Sequence, residues 1–243
     1  MRSIVPFVII FLAISCSDNR SGTAEGTAEM QQAEELGELI QAFKTSYDVP
    51  GIAVGVFREK KVVYADGFGV QSLTTNKPLT TKSIYHMASV SKPFVATAIV
   101  QLVEKGLVDL DEKLITYLPY FKMADQRYQS ITIRQMLNHS SGIPDVGDYQ
   151  WDKPQYDEGA AKRYAKSFAT KELDFEPGER YSFSNAAFDI MANVITKISG
   201  LSFEDYMKEN IFIPVGMKSS TFYQPSVPET MATRPHILGG ELE

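Results

Sequence analysis

The chain has 243 residues, 44% hydrophobic and 22% charged, enough apolar content for one large domain or two small lobes around a true core. A net charge of −6, with no basic run or Lys/Arg stripe, argues against a nucleic-acid partner. Three scattered histidines (His86, His139, His236) and one cysteine give neither His-x-His nor His-Glu-x-x-His spacing, so no metal site and no metal cofactor are expected.

At the N-terminus, Arg2 precedes an apolar run over 4–14 that is too short to span a bilayer permanently but suits the core of an export signal. Leu12-Ala13-Ile14-Ser15-Cys16 resembles a bacterial lipoprotein cleavage site, although Ala13 stands where leucine is common. The expectation is a signal peptide over 1–16 and lipidation of Cys16. The mature protein would then be held in the cell envelope by a lipid anchor only, facing the periplasm or the outer surface. An ordinary cleaved signal or a short membrane anchor are the alternatives. Cys16 is the only cysteine, so an anchored chain would carry no free thiol.

Residues 17–29 lack large apolar side chains and read as a flexible tether. Met30, Ala33, Leu36, Leu39, Ile40 and Phe43 recur at helical spacing and predict a helix over 30–47, ending before Pro50. Gly51–Phe57 and Val62–Gly69, separated by Arg58-Glu59-Lys60-Lys61, predict a hairpin. Ser89 opens a strongly apolar helix that stops at Gly106. Shorter helical pieces follow over Leu110–Phe121 and Tyr128–Leu137, then a Gly/Pro/Asp-rich loop over 140–154. Further helices fit 157–170, 185–199 and 202–212. The domain thus runs over 30–243, with helix and hairpin to 88, a helical lobe over 89–225 and a tail over 226–243.

The chemistry concentrates at Ser89-Val90-Ser91-Lys92-Pro93. A serine one turn before a lysine puts hydroxyl and amine on one helix face, with Cβ atoms about 5–6 Å apart. A desolvated lysine is partly neutral near neutral pH and can take the serine proton as the oxygen attacks a carbonyl. Pro93 is tolerated only in a first turn, which sets the helix start close to Ser89, where unbonded N–H groups can stabilise an oxyanion. The spacing alone is a weak signal, arising by chance about once in a chain of this size.

Three ordered motifs make it specific. Tyr85-His86-Met87-Ala88-Ser89-Val90-Ser91-Lys92-Pro93-Phe94 resembles the nucleophile region of the serine β-lactamase-related family, which includes class C β-lactamases, D-alanyl-D-alanine peptidases and esterases. Ile131-Thr132-Ile133-Arg134-Gln135-Met136-Leu137-Asn138-His139-Ser140-Ser141-Gly142-Ile143-Pro144 is similar to the family's landmark between its first two motifs. Glu176-Pro177-Gly178-Glu179-Arg180-Tyr181-Ser182-Phe183-Ser184-Asn185 falls where the second belongs. The resemblance implies an α/β (α+β) fold with an antiparallel sheet flanked by helices, a helical lobe, and Ser89 in the cleft between them. It also implies a cofactor-free serine hydrolase opening an amide, ester or lactam bond of a small molecule or peptide through an acyl-Ser89 intermediate, with Lys92 as the base. The other reading is a catalytically weak binder or acyl-trapping sensor of cell-wall peptides or β-lactams.

Two departures matter. The family's second motif is usually Tyr-x-Asn, whereas Phe183 offers no hydroxyl here. Tyr181 would point to the same side in an extended segment, displaced by roughly 6–7 Å, either taking part or packing as an aromatic. Asn185 has two readings: an amide that accepts from Lys92 and donates to a substrate carbonyl, or the N-cap of the 185–199 helix. Secondly, none of the 16 glycines has Lys or His two residues before it, so the third motif and its strand are not found. The chain is therefore expected to be a truncated form, the alternative being a reduced relative, and to be inactive alone in the sense of showing no turnover. His139 reads as a hydrogen-bonded turn residue, Trp151, Tyr149 and Tyr156 as packing or a substrate mouth, and Asp109 and Asp111 as helix-end caps.

Overall fold

The computed structural model describes residues 24–147, 149, 153–237 and 240–241; the signal stretch, Cys16 and Trp151 lie outside the described residues. The chain divides into two compact units, one formed by residues up to His86 with those from Val227 onward, the other by Met87–Ser226.

In the first unit, α1 (Ala24–Ser46) begins inside the stretch expected to be tether. Alanine, glutamate and methionine are strong helix formers, and their propensity extends the helix beyond its apolar stripe. β1 (Gly51–Arg58) pairs antiparallel with β2 (Lys61–Gly69) from Gly51↔Gly69 to Arg58↔Lys61, with a register shift between Val56 and Phe57. The predicted four-residue connection shortens to Glu59-Lys60, both at positive φ (50° and 65°), as a two-residue type I′ turn requires. The tail does not simply trail away. Ala232 bridges Ile84, Thr233 N–H donates to the Ile84 carbonyl at 3.0 Å, and Arg234 N–H to that of Gln71 at 2.9 Å. Beyond it, β3 (His236–Ile237) and β4 (Gly240–Glu241) form a minimal ladder.

The second unit is helical. A 3₁₀ turn over Ala88–Val90 leads into α2 (Ser91–Glu104), followed by α3 (Leu114–Tyr117), α4 (Ile133–Leu137), α5 (Ala160–Lys166), α6 (Asn185–Ser199) and α7 (Phe203–Met207). The pieces predicted over 110–121 and 128–137 contract to α3 and to a 3₁₀ turn plus α4. An antiparallel bridge between Lys113 and Thr132 explains this, since it holds both residues extended just before each helix. Thr132 then closes a capping box with Gln135, satisfying two otherwise open N–H groups. The predicted 202–212 helix splits into α7 and a π turn over Lys208–Phe212.

The second unit's core centres on α6. Ala186, Ala187, Phe188, Ile190, Met191, Val194 and Ile195 are buried, packing against α2, where Val95, Ala98, Ile99 and Leu102 are buried in turn. Burying each large aliphatic side chain contributes about 1.5–3 kcal/mol, so the α2–α6 pair is a rigid mount for groups at its N-terminal ends. The buried amide of Asn193 is satisfied by the Tyr120 hydroxyl at 3.0 Å and the Ala161 carbonyl at 2.9 Å. Gly200, in the left-handed conformation at φ 76°, ends the helix. Of the two expected aspartate caps, Asp109 accepts from Asp111 N–H at 2.9 Å. Asp111 differs: its carboxylate forks onto Arg134 at 2.6 and 2.8 Å, a guanidinium being a stronger partner than a terminal amide.

Candidate active site

Ser89 lies on the 3₁₀ turn before α2 and is exposed. The residue before it, Ala88, sits at φ 44°, a conformation costly for any residue with a Cβ and concentrated at functional turns. Lys92, three residues on in the first turn of α2, lies on the same face as Ser89, and its Nζ donates to Ser89 Oγ at 3.0 Å. The expected set of unbonded N–H groups is reduced, however. Val90 N–H donates to the Met87 carbonyl and Ser91 N–H to that of Ala88, because the turn consumes them.

The second side of the site is built by two paired segments. His139, at φ 58°, reverses the chain after α4, and Gly142 follows at φ 78°. A Cβ on Gly142 would stand 2.4 Å from the Phe175 carbonyl oxygen, so only glycine lets the segments approach this closely. The Ser182 N–H donates to the His139 carbonyl at 2.8 Å, Gly178 N–H to that of Ser140 at 2.8 Å, and Asp174 N–H to that of Gly142 at 2.9 Å. The imidazole adds a further tie: Ser184 N–H donates to His139 Nδ1 at 3.1 Å, which leaves the proton of the neutral ring on Nε2. His139 is thus the hydrogen-bonded turn residue expected from the sequence. It also stacks on Phe183 at 4.7 Å and leans on Phe188 at 5.1 Å.

This clamp delivers the start of α6 to Lys92. Ser184, extended and buried, is the N-cap, its hydroxyl accepting from Ala187 N–H at 3.2 Å. The capping role read for Asn185 therefore belongs to Ser184. Asn185 is already helical, and its side chain is turned to the lysine, Oδ1 accepting from Lys92 Nζ at 2.5 Å. Its Nδ2 donates to Asp145 Oδ2 at 3.0 Å. The N–H expected to serve a substrate carbonyl is thus engaged by Asp145, and Tyr149 is hydrogen-bonded to the same amide. Ser89, Lys92 and Asn185 form one hydrogen-bonded set. Tyr181 stands apart from it: it is 68% exposed and meets His139 edge-on at 5.7 Å. In the place where a tyrosine hydroxyl was sought, the Phe183 ring centroid lies 4.8 Å from Lys92 Nζ, a cation–π contact.

Asp145 escaped the sequence reading. It lies in the loop after the landmark motif, with no periodicity to mark it and a partner far along the chain. It accepts from the Tyr149 hydroxyl at 2.9 Å and from Asn185 N–H at 3.0 Å. Burial alone would raise its pKa, but hydrogen bonds from Tyr149 and from the N–H groups of Val146, Asn185 and Ala186 hold it below the usual carboxylate range. Tyr149 is accordingly a tethered residue of the site, its phenol pushed up to about 12 by burial and by Asp145. Tyr156 instead packs on Tyr223 at 6.2 Å and bonds to Gln224.

Charge in the site is balanced around the lysine. Burial lowers the pKa of Lys92, while Asp189 and Asp145 oppose that shift. Burial and the Lys92 charge together lower His139. Asp189, one turn beyond Asn185 on α6, keeps solvent contact yet is crowded by protein, and desolvation raises its carboxyl. Among the described residues, no group of three or more His, Cys, Asp or Glu side chains is placed to hold a metal ion. What the arrangement offers is a nucleophilic hydroxyl, an amine tuned toward neutrality, and an amide that holds the amine in place.

Residues 36–236 match the model of the Beta-lactamase family. The chain is 35% identical to penicillin-binding protein 4* of Bacillus subtilis, covering 67% of this chain and 36% of that protein. It is 30% identical to penicillin-binding protein 4 of Amycolatopsis lactamdurans, covering 75% and 47% respectively. The octameric penicillin-binding protein homologue from Pyrococcus abyssi superposes with a TM-score of 0.67 at 29% identity, over 83% of this chain and 47% of that one. The chain thus spans less than half the length of these relatives.

Proposed function

The chain belongs to the Beta-lactamase family and has its β-lactamase/transpeptidase-like fold, and from that premise we propose that it is a serine acyl-transfer enzyme working through Ser89. The observation that carries this reading is the 3.0 Å contact between Lys92 Nζ and Ser89 Oγ, made by a lysine whose pKa is lowered by burial. When Lys92 is neutral the contact reverses, and the serine hydroxyl donates to the amine lone pair. Oγ then attacks the carbonyl carbon of an amide, ester or lactam, and its proton passes to Nζ. Collapse of the tetrahedral adduct breaks the bond to the leaving group, which takes a proton, and leaves an ester on Ser89. Water releases the acyl group by the same sequence in reverse. The similarity to two penicillin-binding proteins supports substrates of the cell-wall peptide or β-lactam type.

Phe183 favours a second reading, an acyl trap, because a ring without a hydroxyl cannot help protonate the leaving group or activate water. Intact-mass spectra after mixing with nitrocefin, a fluorescent penicillin and a p-nitrophenyl ester separate the two. Attachment to Ser89 with release marks a hydrolase, and attachment that persists marks a trap. No adduct at Ser89 with any of the three overturns both. Phe183→Tyr places a hydroxyl beside Lys92 and is expected to accelerate release, by up to the roughly 10²–10⁴-fold that a positioned acid or base contributes. An unchanged release rate would show that proton transfer to the leaving group uses another residue.

The reading extends to the cell envelope. The apolar run over 4–14 followed by Cys16 supports export and lipid attachment there. No helix among the described residues is long and apolar enough to cross a membrane. Wild-type protein is expected to fractionate with membranes and to carry an acylated N-terminal cysteine, and Cys16→Ala to lose both. A mature N-terminus elsewhere, with unmodified Cys16, would end the anchoring proposal.

A further inference from the structure

Among the described residues, Asn185 alone is bonded on one side to the lysine of the nucleophile pair and on the other to a carboxylate, and this makes its orientation informative. A primary amide has a donor end and an acceptor end that are almost the same shape, so nothing about its size prevents a flip. Here its two neighbours are chemically opposite. Charged Lys92 only donates, and the Asp145 carboxylate only accepts. With Nδ2 3.0 Å from Asp145 Oδ2, Oδ1 is committed to Lys92, and the backbone N–H of Asn185 is held by the second oxygen of the same carboxylate at 3.0 Å. Both ends of the residue are thus gripped by one carboxylate. That carboxylate is gripped in turn by the Tyr149 hydroxyl at 2.9 Å. A continuous chain of hydrogen bonds runs Tyr149, Asp145, Asn185, Lys92, Ser89.

We propose that Asp145 is a positioning residue of the acyl-transfer site: by holding the Asn185 amide in one orientation, it fixes Lys92 Nζ over Ser89 Oγ. The inference rests on the serine acyl-transfer reading and adds a residue to it. The alternative is that Asp145 merely favours the positive N-terminal end of α6, as carboxylates commonly do. A capping role accounts for the bond to Asn185 N–H. It does not account for the bond to the side-chain amide, which is the one that reaches Lys92.

Two consequences separate the roles. With Asp145→Ala the amide keeps only the Tyr149 hydroxyl, which can donate as well as accept, so it can flip and present its N–H groups to Lys92, which then loses its acceptor. Loss of alignment at a reacting pair costs on the order of 10²-fold, so labelling of Ser89 by a fluorophosphonate should slow by about 10–10²-fold. With Asp145→Asn a side-chain carbonyl can still accept from Nδ2, so most of the rate should return. The negative charge is lost, however, and Lys92 should release its proton at lower pH, because Asp145 favours the charged amine. The other groups facing Lys92 stay in place in this variant: Asp189 and Phe188 on α6, Phe183 before it, and His139 after α4.

The measurements are made on the whole chain. One is the Ser89 labelling rate against pH for wild type, Asp145→Ala and Asp145→Asn. The other is the titration of Lys92 by NMR with ¹³Cε-lysine, assigned by Lys92→Arg, which needs no activity. A slow Asp145→Ala, a fast Asp145→Asn and a Lys92 titration moved to lower pH in the asparagine variant support the proposal. A capping role alone would lower the thermal midpoint of both variants, and because the lost charge moves the Lys92 titration whatever Asp145 does to the amide, it would show as an Asp145→Ala labelling rate equal to that of Asp145→Asn. An Asp145→Ala protein with wild-type labelling, or an Asp145→Asn protein with an unmoved Lys92 titration, overturns it. If Asp145→Ala does not fold, Asp145→Leu, which fills the same space without an acceptor, takes its place in the comparison with Asp145→Asn. Wild-type protein that never labels would count against the acyl-transfer reading, while the Lys92 titration would still show whether Asp145 is coupled to the amine.

Discussion

Ser89→Ala is expected to abolish covalent labelling by fluorophosphonate, penicillin or activated ester while leaving the protein folded. The serine side chain is exposed and takes part in no core packing, so its loss removes one hydrogen bond to Lys92 and little else. Stability should change by no more than about 0.5–1.5 kcal/mol, the net worth of an ordinary hydrogen bond. The effect on chemistry is of another scale. Where a nucleophile and its base act as a unit, removing the nucleophile costs roughly 10⁶-fold, as in a serine protease. Peptide mapping of the labelled wild type should find the adduct on the peptide carrying Ser89. Other serines near the site are already engaged: Ser184 caps α6, and the Ser140 hydroxyl donates to Asn138 at 2.6 Å. Undiminished labelling of Ser89→Ala would mean that one of these, or a serine beyond the site, is the reactive group.

What could be read from the residues in advance, and what could not, divides along sequence distance. The Ser89–Lys92 pair is a local relation, three residues apart, and helical geometry alone brings its atoms together. The bounds of α6 were also legible, because its apolar residues recur at helical spacing between a serine and a left-handed glycine. The lengths of α3 and α4 were not. They are set by the Lys113–Thr132 bridge, a pairing between segments whose apolar pattern is equally good as helix. The same limit hid Asp145. Nothing in the loop after Pro144 distinguishes one aspartate from another, and its role exists only because the chain reversal at His139 carries the loop to the start of α6. An acidic residue directly after the landmark motif was the one available hint. Tyr181 shows how a local offset leaves two readings open. Its two-residue offset from Phe183 suggested a substitute hydroxyl, and both rings do meet His139, but Tyr181 is turned out to solvent.

Lys92→Met should slow Ser89 labelling by about 10²–10⁴-fold, the usual contribution of a positioned general base, and should flatten its dependence on pH. Methionine is close to lysine in length and has no nitrogen to accept a proton, so the variant isolates the amine. In the wild type only neutral Lys92 can take the serine proton. Its folded-state pKa lies below the ordinary lysine value, chiefly through burial, with Asp189 and Asp145 pulling the other way. The labelling rate should therefore climb with pH and level off as Lys92 deprotonates, earlier than a solvated lysine would allow. The same shift has a stability sign. Between the lowered folded value and the unfolded one, the unfolded chain holds more protons than the folded chain. Stability therefore rises with pH across that window as the buried charge is lost, and Lys92→Met should lack this rise. Asn185 keeps two of its bonds in the variant, both to Asp145, so the fold should hold and the denaturation midpoint should stay near that of the wild type at neutral pH. Three readouts thus move together if Lys92 is the base: rate, pH profile and the alkaline stability slope. A Lys92→Met protein that labels at the wild-type rate from about pH 6 to pH 9 would remove the lysine from the mechanism, and the proton of Ser89 would then have to leave by another route.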